Sequence, residues 1–117
     1  MPLSLYVHIP FCAHVCFYCA CNKVVTGDRS KAQPYLAALA REIRLQAALV
    51  DTSRPVEQLH WGGGTPTFLS EAEIRQLMRM LGEHFQLLED GSGEYSIEVD
   101  PREVREETLP TLREIGF

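Results

Sequence analysis

The chain has 117 residues, four of them cysteine, 45% hydrophobic positions and a formal net charge of −5. That length allows one domain at most. The acidic balance leaves no basic stripe to meet phosphates, which argues against a nucleic-acid partner, and no apolar run approaches the roughly 18 residues that a membrane span needs. The opening stretch carries Tyr6 and His8 and lacks both a basic region and a small-residue cleavage site, so no secretory leader is expected and the expected location is cytoplasmic.

In chain order, the pattern predicts three strand–helix units. Leu3 to Ile9 alternates, with Leu3, Leu5, Val7 and Ile9 on one face and Ser4, Tyr6 and His8 on the other. After a cysteine-bearing loop and a turn at Gly27-Asp28, a helix is expected near Ser30, with Pro34 tolerated in its first turn. Leu36, Leu39, Ala40, Ile43, Ala47 and Val50 form its apolar stripe, a packing face rather than a binding surface. A second strand, about Val56 to Trp61, ends in Gly62-Gly63-Gly64-Thr65-Pro66-Thr67.

Ser70-x-x-Glu73 reads as a capping box for a helix carrying Ile74, Leu77, Met78, Leu81, Phe85 and Leu88. Glu89 to Gly93 is a polar turn. The third strand, about Glu94 to Val99, sets Ile97 and Val99 against Ser96, Glu98 and Asp100. A last helix is expected near Thr108, with Pro110 in its first turn and Gly116 as a stop.

Strands alternating with helices predict an α/β fold with a parallel sheet and right-handed crossovers. Chemistry in such folds gathers at the carboxyl ends of the strands. The cysteine loop, the glycine run, and Glu98 with Asp100 are expected on that one rim. Three units do not close a barrel. A fourth strand is expected after Phe117, so residues 1–117 read as the N-terminal portion of a truncated chain, a fragment, or half of something completed by another polypeptide.

The cysteines follow the spacing Cys12-x3-Cys16-x2-Cys19-x-Cys21. Disulfides among residues this close would shut very small loops and gain little entropy. A structural zinc site usually draws its ligands from two separated pairs, and no second pair exists here. Three thiolates on one loop can instead converge on an iron–sulfur cube, leaving one iron open for chemistry. Zinc and disulfides remain the alternatives.

Cys12-x3-Cys16-x2-Cys19 resembles the signature of radical S-adenosylmethionine enzymes. Three longer blocks are more specific: Tyr6-Val-His-Ile-Pro-Phe-Cys12 through Cys21-Asn22-Lys23, His60-Trp-Gly-Gly-Gly-Thr-Pro-Thr67, and Ser96-Ile-Glu-Val-Asp-Pro-Arg-Glu103. Together they resemble the oxygen-independent coproporphyrinogen III oxidase family, whose early part this chain covers.

The resemblance implies an N-terminal portion of a radical SAM core, a partial (βα) barrel of three strand–helix units. It implies a [4Fe–4S] cluster held by Cys12, Cys16 and Cys19, with S-adenosylmethionine chelating the fourth iron and yielding a 5′-deoxyadenosyl radical. Phe11, Phe17 and Tyr18 would cover the cluster and help set its potential. Two S-adenosylmethionine molecules would share the site: Tyr6, Gly63 and Glu98 meet the first, and Tyr18, Gly64 and Thr65 the second. Outside the resemblance, a glycine triplet before proline is most often a turn, and Glu98 could be in a structural ion pair with Arg102.

Cys21 is implied to be a non-ligand, either a working thiol or a small buried residue. His8 is given a supporting role, and His60 and Trp61 are expected to shape the pocket floor. The implied reaction is oxidative decarboxylation of a porphyrinogen substrate, fed by a low-potential electron donor. The resemblance leaves the catalytic and substrate-binding residues unassigned. A heme chaperone of the same superfamily and an inactive fragment are the rival readings.

Overall fold

The computed structural model describes residues 2–12, 24–25, 28–100 and 104–117. β1 (Leu3–Ile9), β4 (Pro55–Gly63) and β6 (Glu94–Ile97) form a wholly parallel sheet with β4 in the centre, and a two-residue β5 (Gln86–Leu87) pairs with the start of β4. A second, small parallel pair joins β2 (Phe11–Cys12) to β3 (Val24–Val25) on either side of the cysteine segment. The helices are α1 (Ala32–Ala47), α2 (Glu71–His84) and α3 (Thr108–Glu114). The expected α/β order and parallel sheet are present.

Apolar residues concentrate on one face of the sheet. Val7, Ile9, Val56, Leu59 and Trp61 pack with Leu36 and Ile43 of α1, with Ile74, Leu77 and Leu81 of α2, and with Leu112 of α3 into one core. One departure from simple alternation makes this possible. Val56 and Leu59 are both buried although three positions apart, because the register slips from Leu3↔Val56 to Ser4↔Gln58 and Glu57 is passed over. The irregularity returns Leu59 and Trp61 to the core side.

Several expectations change in detail. The α1 stripe holds for Leu36 and Ile43, but Val50 lies past the helix and is exposed. Its first turn is preceded by a 3₁₀ turn at Arg29–Lys31, capped by the Asp28 carboxylate, which accepts from the Ser30 N–H. α2 ends at His84, so Phe85 is buried from extended backbone rather than from the helix. The Ser70–Glu73 box is formed in both directions. α3 starts at Thr108 as expected, and Gly116 follows it at a φ of 121°.

α3 is tied to the start of α2 through one carboxylate. Glu71 Oε1 accepts from Arg105 Nε at 2.9 Å and from the Thr108 hydroxyl at 3.1 Å, while that hydroxyl accepts from the Arg105 backbone N–H. Burial pushes the Glu71 carboxyl up, but its own backbone N–H, Arg105 and Thr108 outweigh this and hold it below its ordinary value. An acid depressed in the folded state contributes stability at neutral pH that is lost as pH falls through its folded value. Thermal melts should therefore show a fall in stability on acidification below the ordinary glutamate range, about pH 4. The fall should be shallower in Glu71→Gln, whose stability at neutral pH is already reduced.

Candidate active site

The opposite face of the sheet is polar and open. Parallel sheets are normally covered by apolar packing on both faces, so a polar face on a parallel sheet marks a surface built for water or a polar occupant. In-register pairing aligns its side chains in rows: Ser4 beside Gln58 and Glu94, then Tyr6 beside His60 and Ser96, then His8 beside Gly62. Glu98 continues the last row, its N–H still donating to Trp61 O at 2.9 Å beyond the end of β6.

The rows are hydrogen-bonded across the strands. Ser4 Oγ donates to Gln58 Oε1 at 2.8 Å, and Gln58 Nε2 donates to Glu94 Oε2 at 3.3 Å. His60 Nδ1 is 2.7 Å from Ser96 Oγ and its Nε2 is 3.4 Å from Glu98 Oε1. The Tyr6 hydroxyl is 3.1 Å from His8 Nδ1, and the Tyr6 ring lies nearly parallel to that of His60 with centroids 5.9 Å apart. A groove of about 610 Å³ runs along the lower rows.

The glycine run explains why these groups can gather. Gly62 and Gly63 belong to β4 rather than to a turn. A Cβ at Gly62 would lie 2.8 Å from Glu98 Oε1 and 3.0 Å from His60 Nε2, so both polar groups lean over bare backbone. Gly63 has a φ of 108°, and a Cβ there would come within 2.6 Å of the His8 ring. Gly64 and Thr65 are zipped to the segment leading into Cys12: their N–H groups donate to Ile9 O and Phe11 O, both at 2.7 Å.

Phe11 is wedged between Tyr35 and Phe68, with centroids 5.4 and 5.2 Å away. Arg29 closes the other side, its guanidinium over the Phe68 ring at 4.3 Å and donating to Phe68 O. Burial, then the neighbouring Tyr6, pushes the Tyr35 phenol up, so it stays a donor to the His8 carbonyl. These contacts brace the backbone on both sides of the cysteine segment.

Of the predicted site residues, Tyr6 (59% exposed), Gly63 and Glu98 share the open face and its rim. Gly64 and Thr65 lie at the same rim against Phe11. Cys12 enters through the backbone of β2. Cys16, Tyr18, Cys19, Cys21 and Arg102 lie outside the described residues.

Trp61 corrects an expectation. It is fully buried on the core side, edge-on to Phe117, and takes no part in the pocket floor. His60 is on the site face. Ser96, which touches it, was not singled out by sequence reasoning, although its phase with Glu98 was visible.

A family profile described as Radical SAM superfamily matches residues 6–117. The chain belongs to the Radical SAM superfamily. Over 116 residues, 99% of its length, it is 59% identical to the oxygen-independent coproporphyrinogen III oxidase of Pseudomonas aeruginosa and 55% identical to that of Escherichia coli. It spans 25% of the length of each. The solved structure of the Escherichia coli coproporphyrinogen III oxidase, a radical SAM enzyme, superposes with a TM-score of 0.90 at 54% identity, covering 99% of this chain and 26% of that one.

The chemistry of the open face suits a small polar ligand such as the family's cofactor. A carboxylate, two imidazoles and a phenol ring a glycine floor that any Cβ would fill. Such a floor admits a compact polar group, and the carboxylate can hold an ammonium or ribose hydroxyl. Among the described residues, no helix is long and apolar enough to cross a membrane.

Proposed function

We propose that this chain is the cluster-bearing, N-terminal portion of a radical SAM core, residues 1–117, in a cytoplasmic oxygen-independent coproporphyrinogen III oxidase. The protein would convert coproporphyrinogen III to protoporphyrinogen IX by oxidative decarboxylation of two propionate side chains to vinyl groups. The observation that carries this reading is the identity of 59% and 55%, sustained over 99% of the chain, to relatives that bear that name.

Cys12, Cys16 and Cys19 would hold a [4Fe–4S] cluster, and Tyr6, Gly63 and Glu98 would receive one S-adenosylmethionine. Tyr18, Gly64 and Thr65 would receive a second. When bound, these groups supply electron delivery and hydrogen abstraction. The chain's own residues bind and orient. The Glu98 carboxylate offers a counter-charge, the bare Gly62–Gly63 backbone permits close approach, and backbone hydrogen bonds hold the Ile9–Phe11 segment against Gly64 and Thr65.

The test uses the complete protein carrying this chain, loaded anaerobically with iron and sulfide and supplied with S-adenosylmethionine and a low-potential reductant. Coproporphyrinogen III should lose carbon dioxide and yield protoporphyrinogen IX. Tight heme binding without turnover would favour a chaperone instead.

A further inference from the structure

We propose that His60 is a positioning residue that orients Glu98 for its ligand. This rests on the reading of Glu98 as a contact of S-adenosylmethionine. His60 occupies the central strand between Tyr6 on β1 and Glu98 after β6, so it links the two outer strands at the upper end of this face, as Gln58 links Ser4 to Glu94 one row below. Its ring is held three ways: parallel to Tyr6, by Ser96 Oγ at Nδ1, and by Glu98 Oε1 at Nε2. Gly62 leaves the space over which both the imidazole and the carboxylate extend.

The chemistry assigns the tautomer. A carboxylate only accepts hydrogen bonds, so the nitrogen facing it must carry a hydrogen. In a neutral ring, an Nε2–H leaves Nδ1 as an acceptor, and Ser96 is the hydroxyl donor 2.7 Å away. Ser96 therefore fixes the ring and the ring fixes Glu98, the same logic by which a partner on one imidazole nitrogen sets what the other does. Glu98 is half-exposed and would otherwise sample several rotamers. Held by one oxygen, it presents the other to a ligand.

Two measurements test this. In this chain, long-range proton–nitrogen NMR should show His60 as the Nε2–H tautomer, and Ser96→Ala should give a mixture. A wild-type Nδ1–H tautomer would overturn the assignment. In the complete, cluster-loaded protein, equilibrium dialysis would follow S-adenosylhomocysteine, an unreactive relative of the cofactor.

His60→Phe should weaken its binding about tenfold, the cost of losing a hydrogen bond to a charged group, with iron content unchanged. His60→Gln, whose amide N–H can reach Glu98, should stay close to wild type. The double variant His60→Phe with Glu98→Gln should bind no worse than Glu98→Gln alone, because the two act as one unit. Multiplying effects, or His60→Gln failing as badly as His60→Phe, would sink the positioning role while leaving the function intact. No binding by the wild type would overturn both.

Discussion

Chain carrying alanine at Cys16, reconstituted anaerobically with iron and sulfide, should retain only background iron and lack the broad visible absorption of a [4Fe–4S] cluster. The physical reason is the ligand count. In the proposed ligand set three thiolates hold the cube and the fourth corner is kept for the cofactor, so removing one sulfur leaves only two of those protein ligands. Cys21 provides the contrast, since the proposed ligand set leaves it out. Cys21→Ser should therefore keep nearly all the iron. A full cluster in Cys16→Ala, or its loss in Cys21→Ser, would reassign the ligands and close the open corner. Zinc in place of iron in the freshly purified protein would end the cluster reading altogether.

Gly64→Ala should destabilise the fold by about 1–3 kcal/mol in urea or thermal melts, the range for forcing extra carbon into a packed site. The added Cβ would lie 2.7 Å from Phe11 O and from the Pro10 carbonyl. These are backbone atoms, so no side chain can swing aside to relieve the contact. The Gly64 and Thr65 hydrogen bonds to Ile9 and Phe11 would stretch in consequence, moving the glycine run away from the strand that enters Cys12.

Gly82→Ala is the internal control. It sits in α2 with its nearest prospective neighbour, Leu87 Cδ1, at 3.7 Å, an ordinary contact. Replacing a helical glycine there should raise stability by roughly 0.5–1 kcal/mol. Equal, small effects at both positions would mean that the rim tolerates separation. The close backbone approach would then not be what makes glycine necessary at residue 64.

Local physics made much of the architecture readable. The Leu3–Ile9 alternation matches β1 residue for residue, because one face had to be apolar and the other polar. Ser70 and Glu73 announced the start of α2 because their side chains satisfy backbone groups only three residues away. The failures are of a different kind. Trp61 was assigned to the pocket from its place beside the glycines, but the slipped register at Glu57 sends it to the core. Val50, Phe85 and Leu88 continued a helical spacing past the points where the helices end, since apolar periodicity does not mark a terminus. β5 was missed because two residues are too few to show a period.

The cysteine spacing, the glycine triplet, the helix starts and the polarity of Tyr6, His8, Ser96 and Glu98 were all determined along the chain, each by atoms close in sequence. What only the tertiary structure decided is which of them meet. Parallel strands are joined through long crossovers, so their register depends on how helices settle on the far face and not on any local turn. That register places His60 between Tyr6 and Glu98 and lays the Glu98 carboxylate over Gly62, turning separate signals into one polar floor.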